Sequence, residues 1–376
     1  MKRFLGLFFG LALALPRLVF GEAVDMSEAK AALIAPLQSE TAIEQKNEGE
    51  RYSVAGLCKL PAVLTLALAF DEGLIAPETL MQVSTKAASV GGPTAFLEAT
   101  EQIAAEELMK AAVMISAGDA IYTLGENAFG SEQVFLQNIE VNLQKLGVSA
   151  ELSDCIGNGS AFTALDLLLL GQAAAQSPTF VQYAGVYMDE LVHPDGRRTE
   201  LVNANRMIRT YSGCFGLMTG SSRDDGYCGV FAASRNDMPY ICVVIGSKNS
   251  ESRFALATSL FDYVFANFSL VTLSKAYEPL LTEVPVRYGD AKTVNLVPHE
   301  TVVMLKKKGD GEFTQEWRGD GELTAPLSVE TPVGMMAYID ATGAVAYEIA
   351  LYPEQDVRSY GILDVLRRLA WNFLRG

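Results

Sequence analysis

Near residue 269 the hydrophobic pattern of this chain changes period, and that change limits the architectures open to it. Before it, apolar stretches with helical spacing alternate with short strand-like runs; after it, Val284, Val286 and Tyr288, and later Val345, Tyr347 and Ile349, alternate with polar neighbours. A period near 3.6 buries one face of a helix and a period of 2 buries one face of a strand, so the two segments need different cores. The first reads as a mixed α and β domain over residues 24–269, the second as a small β-sandwich over residues 270–353. Gly309-Asp310-Gly311 and Gly319-Asp320-Gly321 supply turns for the short strands of the second segment.

Within the first segment, residues 60–70 are apolar on nearly every side and predict a deeply buried helix, while residues 104–126 continue in helical style. Two strand-like runs, 226–233 and 241–246, flank Ser234-Arg235-Asn236-Asp237 and predict a hairpin.

At the N-terminus, Lys2 and Arg3 precede an apolar run from Phe4 to Leu15, and small residues Gly21 and Ala23 follow. This is the layout of a secretory signal peptide over residues 1–23, too short for a membrane span of about 20 residues. Cleavage after residue 21 removes three basic groups and no acidic one, taking the net charge from −16 to −19. Such a surface does not suit nucleic acid, which needs clustered Lys and Arg. Two His and the absence of a C-x-x-C pair leave no material for a zinc site, and no cofactor motif is present. Five Cys cannot all pair internally, and their irregular spacing suits small buried apolar residues. Asp154 reads as a loop residue and Asp166 as a helix-start residue; His193 and His299 have no visible partners. At the other end, residues 354–376 place Ile362, Leu363, Leu366, Leu369, Phe373 and Leu374 along one stripe, an amphipathic helix suited to a membrane surface.

Three local patterns in the first domain carry chemistry by their order. Gly56-Leu57-Cys58-Lys59 opens the apolar helix, Ser116-Ala117-Gly118 falls in the second helical stretch, and Met218-Thr219-Gly220 precedes the hairpin. With their flanks they resemble the low-molecular-weight penicillin-binding proteins, the serine-type D-alanyl-D-alanine carboxypeptidases. The resemblance implies an α+β fold: a penicillin-binding serine acyl-enzyme (β-lactamase-like) domain, then a small β-sandwich domain and a C-terminal amphipathic helix. It also implies a peptidoglycan stem peptide as substrate and a place on the outer face of the cytoplasmic membrane or in the cell wall. Members of the family use Ser-x-x-Lys, Ser-x-Asn and Lys-Thr-Gly as nucleophile and base, relay and amide holder, and carboxylate clamp. Here each motif departs at one position: Gly56 replaces the nucleophile, Gly118 the Asn and Met218 the Lys.

Lys59 and Ser116 are thus catalytic remnants, and Gly118, Met218, Thr219 and Gly220 remain as substrate-binding positions. Taken apart from the motifs, Lys59 reads as a buried cation paired with a carbonyl or carboxylate, Ser116 as a cap, and Thr219-Gly220 as a turn at a strand end. Losing the serine nucleophile costs on the order of 10⁶ in turnover. The expected function is therefore a catalytically degenerate carboxypeptidase-like module binding peptidoglycan or a protein partner. The alternative is an active carboxypeptidase with a displaced nucleophile, Cys58 or Ser53. Pro61 further predicts that the regular helix begins only near Cys58 to Leu60, which would carry Lys59 out of the family's geometry.

Overall fold

The computed structural model describes residues 24–361 together with the backbone of residues 13–14. Apart from residues 13–14, the expected signal peptide therefore lies outside the described residues, as do residues 362–376 of the expected terminal helix. The chain divides into two compact units, with the change at Ala266 and Asn267.

The first unit is built on a five-stranded antiparallel sheet. Its strands are β1 (Ala31–Pro36), β2 (Glu44–Lys46), β3 (Cys214–Ser222), β4 (Gly226–Arg235) and β5 (Met238–Ser247). Their order in the sheet is β3-β4-β5-β1-β2, so β3 forms an edge. The expected hairpin is β4 and β5, joined through Asn236 and Asp237 at φ 52° and 59°. Two successive residues in the left-handed region make a type I′ turn, whose twist matches that of the paired strands.

Both faces of the sheet are covered, which explains strands that are apolar throughout rather than alternating. Helices run in the order α1 (Leu60–Asp71), α2 (Ala105–Ile115), α3 (Gly118–Phe129), α4 (Glu132–Lys145), α5 (Ala164–Gln176) and α6 (Pro178–Ala184) between β2 and β3, with α7 (Ser250–Asn267) after β5. On one face α5 presses so close that a methyl group at Gly171 would lie 2.6 Å from Val230. On the other, Phe254 of α7 meets Phe231 with ring centroids 5.8 Å apart. As the sequence suggests, α1 is buried almost all round, and Asp166 closes a capping box with Thr163 at the start of α5.

The second unit is β-rich. Its strands are β6 (Phe268–Ser274), β7 (Leu281–Arg287), β8 (Thr293–Val297), β9 (Val302–Lys307), β10 (Thr314–Gly319), β11 (Leu323–Thr324), β12 (Gly334–Ile339) and β13 (Val345–Pro353). Six form a sheet in the order β10-β12-β13-β8-β7-β11, and β6 pairs with β9. One core joins them: Val302 of β9 packs with Leu296, Tyr338 and Leu351, and the Tyr338 hydroxyl donates to the Leu273 carbonyl at 2.8 Å.

Residues 354–361 depart from the expected helix. They are not helical: residues 354–355 form a bend, and beyond it Val357, buried in this core, bridges to Leu327 and Ser359 to Gly289.

Candidate active site

The site begins with a short 3-10 turn, Ala55–Lys59, whose first residue has φ 51° and whose last caps α1. Pro61 sits in the first turn of α1, where its missing N–H removes no helical bond, so the regular helix starts at Leu60. The late start does not take Lys59 away from the cleft. Three residues make one turn of a 3-10 helix, so positions 56 and 59 lie one above the other. Lys59 is buried, and its Nζ donates to the Ser116 carbonyl at 2.9 Å.

Ser116 ends α2 in a left-handed conformation, φ 54° and ψ 40°. It is a cap, as read from the sequence, and its carbonyl is thereby turned toward Lys59. Two residues on, Gly118 opens α3. A Cβ there would lie 2.6 Å from Val90 Cγ1 and 3.3 Å from Lys59 Nζ, so Val90 occupies the room an Asn side chain would need.

Edge strand β3 closes the cleft. Thr219 and Gly220 lie within this strand rather than in a turn at its end, since all of residues 216–222 pair with β4. Gly220 rides directly on the 3-10 turn: a methyl group there would meet Leu57 N at 2.5 Å and Gly56 N at 2.6 Å. Met218 is different. It is 2% exposed, belongs to the hydrophobic core and does not line the cleft. With helices against both faces of the sheet, a thioether at this position gains more from packing than from facing water.

The resulting cavity is about 670 Å³ and brings together Gly56, Lys59, Ser116, Thr219 and Gly220. Gly56 has ordinary backbone angles, and a Cβ there would find only Gly220 Cα, at 3.4 Å. The nucleophile position is thus an open space with its lysine still beneath it.

Several further wall residues lie outside the three motifs. Arg253, from α7, donates to the Gly220 carbonyl at 3.2 Å and the Cys228 carbonyl at 2.9 Å, and lies over the rings of Tyr227 and Phe254. Burial lowers its guanidinium to about 10. Val90, Gly91, Gly92 and Pro93 form the opposite rim, with Asn158 contributed by the loop before α5. The Gly-Gly-Pro run was the one available hint, since it marks a turn or loop, and Gly92 does take a left-handed φ of 84°. Nearby, Lys86 pairs with Glu132, which also accepts from the Tyr122 hydroxyl at 2.8 Å.

Neither substitute nucleophile is well placed. Ser53 is exposed in a short strand paired with Ala161 and does not line the cleft. Cys58 does line it, but its Sγ donates to the Ile156 carbonyl at 3.4 Å, and burial pushes its thiol up to about 11. Burial also lowers the Lys59 ammonium, against the opposing pull of Cys58, Asp119 and Asp154. Because the thiolate is the reactive form, Cys58 in the folded protein at pH 7.5 should react with iodoacetamide about 100-fold more slowly than in the unfolded chain. Its reactivity should climb as the pH rises toward 11, a profile read by alkylating across pH 7–11 and mapping peptides.

All five cysteines are unpaired thiols; Cys155, Cys228 and Cys242 are buried. No group of metal-ligating side chains occurs among the described residues. His193, without partners in the sequence reading, has two in the structure. Its Nδ1 lies 3.2 Å from Glu101, a contact across 92 residues that no local pattern discloses, and its Nε2 lies 2.9 Å from Thr199 Oγ1, six residues on across a hairpin. His299 stacks on Tyr352 with centroids 3.8 Å apart.

Comparison with known proteins agrees with this geometry. Residues 19–249 match the family model described as D-alanyl-D-alanine carboxypeptidase, and residues 268–359 match the C-terminal domain of penicillin-binding protein 5. The chain therefore belongs to the D-alanyl-D-alanine carboxypeptidase family. Among curated relatives, D-alanyl-D-alanine carboxypeptidase DacF of Bacillus subtilis is 26% identical over 91% of this chain and 89% of its own length. DacC of Escherichia coli is 26% identical over 89% and 85%. Among solved structures, penicillin-binding protein 5 from Haemophilus influenzae superposes with a TM-score of 0.75, covering 88% of this chain and 98% of that one at 20% identity. Penicillin-binding protein 3 from Streptococcus pneumoniae does so with a TM-score of 0.68, at 20% identity over 88% and 99%.

Proposed function

We propose that this protein is an exported, catalytically degenerate member of its family that holds a peptidoglycan stem peptide, or a protein segment of similar form, without cleaving it. The observation that carries the reading is the state of the nucleophile position. Gly56 offers no atom to attack a carbonyl, while Lys59, Ser116, Thr219 and Gly220 still frame a cavity large enough for a peptide end. Two further changes support it: Val90 fills the place of the amide-holding Asn, and Met218 has joined the core instead of offering a cation to a carboxylate. Strand β3 is an edge of its sheet and lines the cleft through Thr219 and Gly220, which suits pairing with an extended peptide.

The leader-like N-terminus and the acidic composition support an address in the cell envelope. No helix among the described residues is long and apolar enough to cross a membrane. Membrane contact would rest on residues 362–376, and deleting them should move the protein from the membrane to the soluble fraction.

Titration calorimetry with a synthetic stem pentapeptide ending in D-alanyl-D-alanine, followed by an assay for free D-alanine, tests the reading. Binding with no release of D-alanine is expected. Release at a rate that Gly56→Ala leaves untouched but Cys58→Ser abolishes would overturn it in favour of a displaced nucleophile.

A further inference from the structure

One loop at the rim of the cleft holds an aromatic ring outward. Phe96 has φ 58° and is 68% exposed, whereas its neighbours Ala95 and Leu97 are 0% and 4% exposed. A bulky residue in the left-handed region is an outlier that the surroundings must enforce. Here the enforcement is explicit. The buried carboxylate of Asp119 accepts from the backbone N–H of Ala95 at 2.9 Å and of Leu97 at 3.1 Å, gripping the chain on both sides of Phe96. Thr199 Oγ1 donates to the Ala95 carbonyl, and Arg197 Nη1 to the Phe96 carbonyl at 3.4 Å.

The loop is tied to the cleft. Asp119 follows Gly118 directly, the Gly118 N–H donates to the Pro93 carbonyl at 2.9 Å, and Pro93 lines the cleft. Beyond Phe96 the same loop enters a second cavity, of about 560 Å³, whose walls include Leu80, Glu98, Thr100, Gln102, Pro194 and Asp195. Arg197 joins the two features, since its guanidinium bonds the Phe96 carbonyl and pairs with Glu98 and Asp195.

From this juxtaposition we infer that Phe96 and the adjoining cavity form a sugar subsite, which takes the amino-sugar unit bearing the peptide held in the cleft. A pyranose ring presents an apolar C–H face suited to an aromatic ring and a rim of hydroxyls that donate to carboxylate, amide and hydroxyl oxygens. Phe96 offers the first; Glu98, Thr100, Gln102 and Asp195 offer the second. A protein partner fits less well, because a stable interface needs an apolar core within about 800 Å² per side, and here the large exposed apolar side chains of the loop and cavity are Phe96 and Leu80, beside charged and polar groups. Reach agrees too. Phe96 lies three residues from Pro93, at most about 11 Å of chain, and an extended stem carries its sugar about 13 Å from its last peptide bond.

This inference rests on the peptide-binding reading of the cleft, and the test separates the two. The full-length protein is titrated with the free pentapeptide, with the same peptide on a disaccharide, and with the disaccharide alone. Glycan-linked peptide should bind about tenfold tighter than free peptide. Phe96→Asn, which suits the left-handed backbone, should erase that gain and leave the free-peptide affinity and melting temperature unchanged. Phe96→Tyr should retain it. Equal affinity for both peptides, or a gain that survives Phe96→Asn, overturns the subsite. If neither peptide binds, the peptide reading falls; disaccharide binding lost in Phe96→Asn then still supports the subsite, and no disaccharide binding overturns it. Phe96→Asn losing a protein partner while the sugar gain persists also overturns it.

Discussion

Gly220→Ala should lower the stability of the first unit by about 3 kcal/mol, at the upper end of the usual overpacking range. The added methyl would lie 2.5 Å from Leu57 N, 2.6 Å from Gly56 N and 2.8 Å from Gly56 Cα, all of them backbone atoms that no side-chain rotation can move aside. Strand β3 and the 3-10 turn would have to separate, weakening the Arg253 bond to the Gly220 carbonyl and widening the cleft. For a unit of about 250 residues this corresponds to a fall in melting temperature of roughly 9 °C. Gly49→Ala is the control, because nothing lies within 4 Å of a methyl group there, and it should leave the melting temperature within a degree. A Gly220→Ala protein as stable as the wild type would mean that strand and turn are not in contact.

The second large effect is a gain. Gly56→Ser should fold as the wild type does and acquire slow covalent labelling by a penicillin, which the proposed reading does not expect of the wild type. The space is present, with only Gly220 Cα at 3.4 Å from the new Cβ, and the 3-10 turn sets position 56 above Lys59. Burial holds the Lys59 ammonium below its usual range, so its neutral form, the one able to take a proton from a hydroxyl, is more accessible than on an exposed lysine. Recovery should stay partial, because Val90 still fills the amide-holding place and Met218 stays in the core. Intact mass after incubation reads the result. A folded Gly56→Ser protein that never labels would show that the surrounding groups have drifted too far for acyl chemistry.

Much of the architecture is legible in the residues because it rests on period and turn chemistry. The β4–β5 hairpin is announced by two apolar runs around Asn236-Asp237, and the buried α1 by eleven apolar or small residues in succession. The motif order brings Lys59, Ser116, Thr219 and Gly220 to one place, and the structure gathers these four in one cavity. Met218 escapes sequence reading because its direction depends on helices packed against both faces of the sheet. The pocketing of Val90 against Gly118 escapes it as well, since the two are far apart in the chain and meet only through the fold. Pro61 shows where a local rule reaches too far: it correctly delays the regular helix, yet the 3-10 turn that replaces the missing helical turn still delivers Lys59 to the cleft. Val357 makes the same point at the other end, where a buried bridge to Leu327 holds the chain out of a helix over residues 356–361.

The most direct test of a cleft that binds without reacting is the intact mass of the folded wild-type protein after prolonged incubation with a penicillin, beside an active carboxypeptidase of the same family. The account predicts an unchanged mass for this protein while the control gains one drug mass. An adduct of one drug mass on the wild type, mapped to Cys58, Lys59 or any other residue of the cleft, would contradict it and identify a working nucleophile.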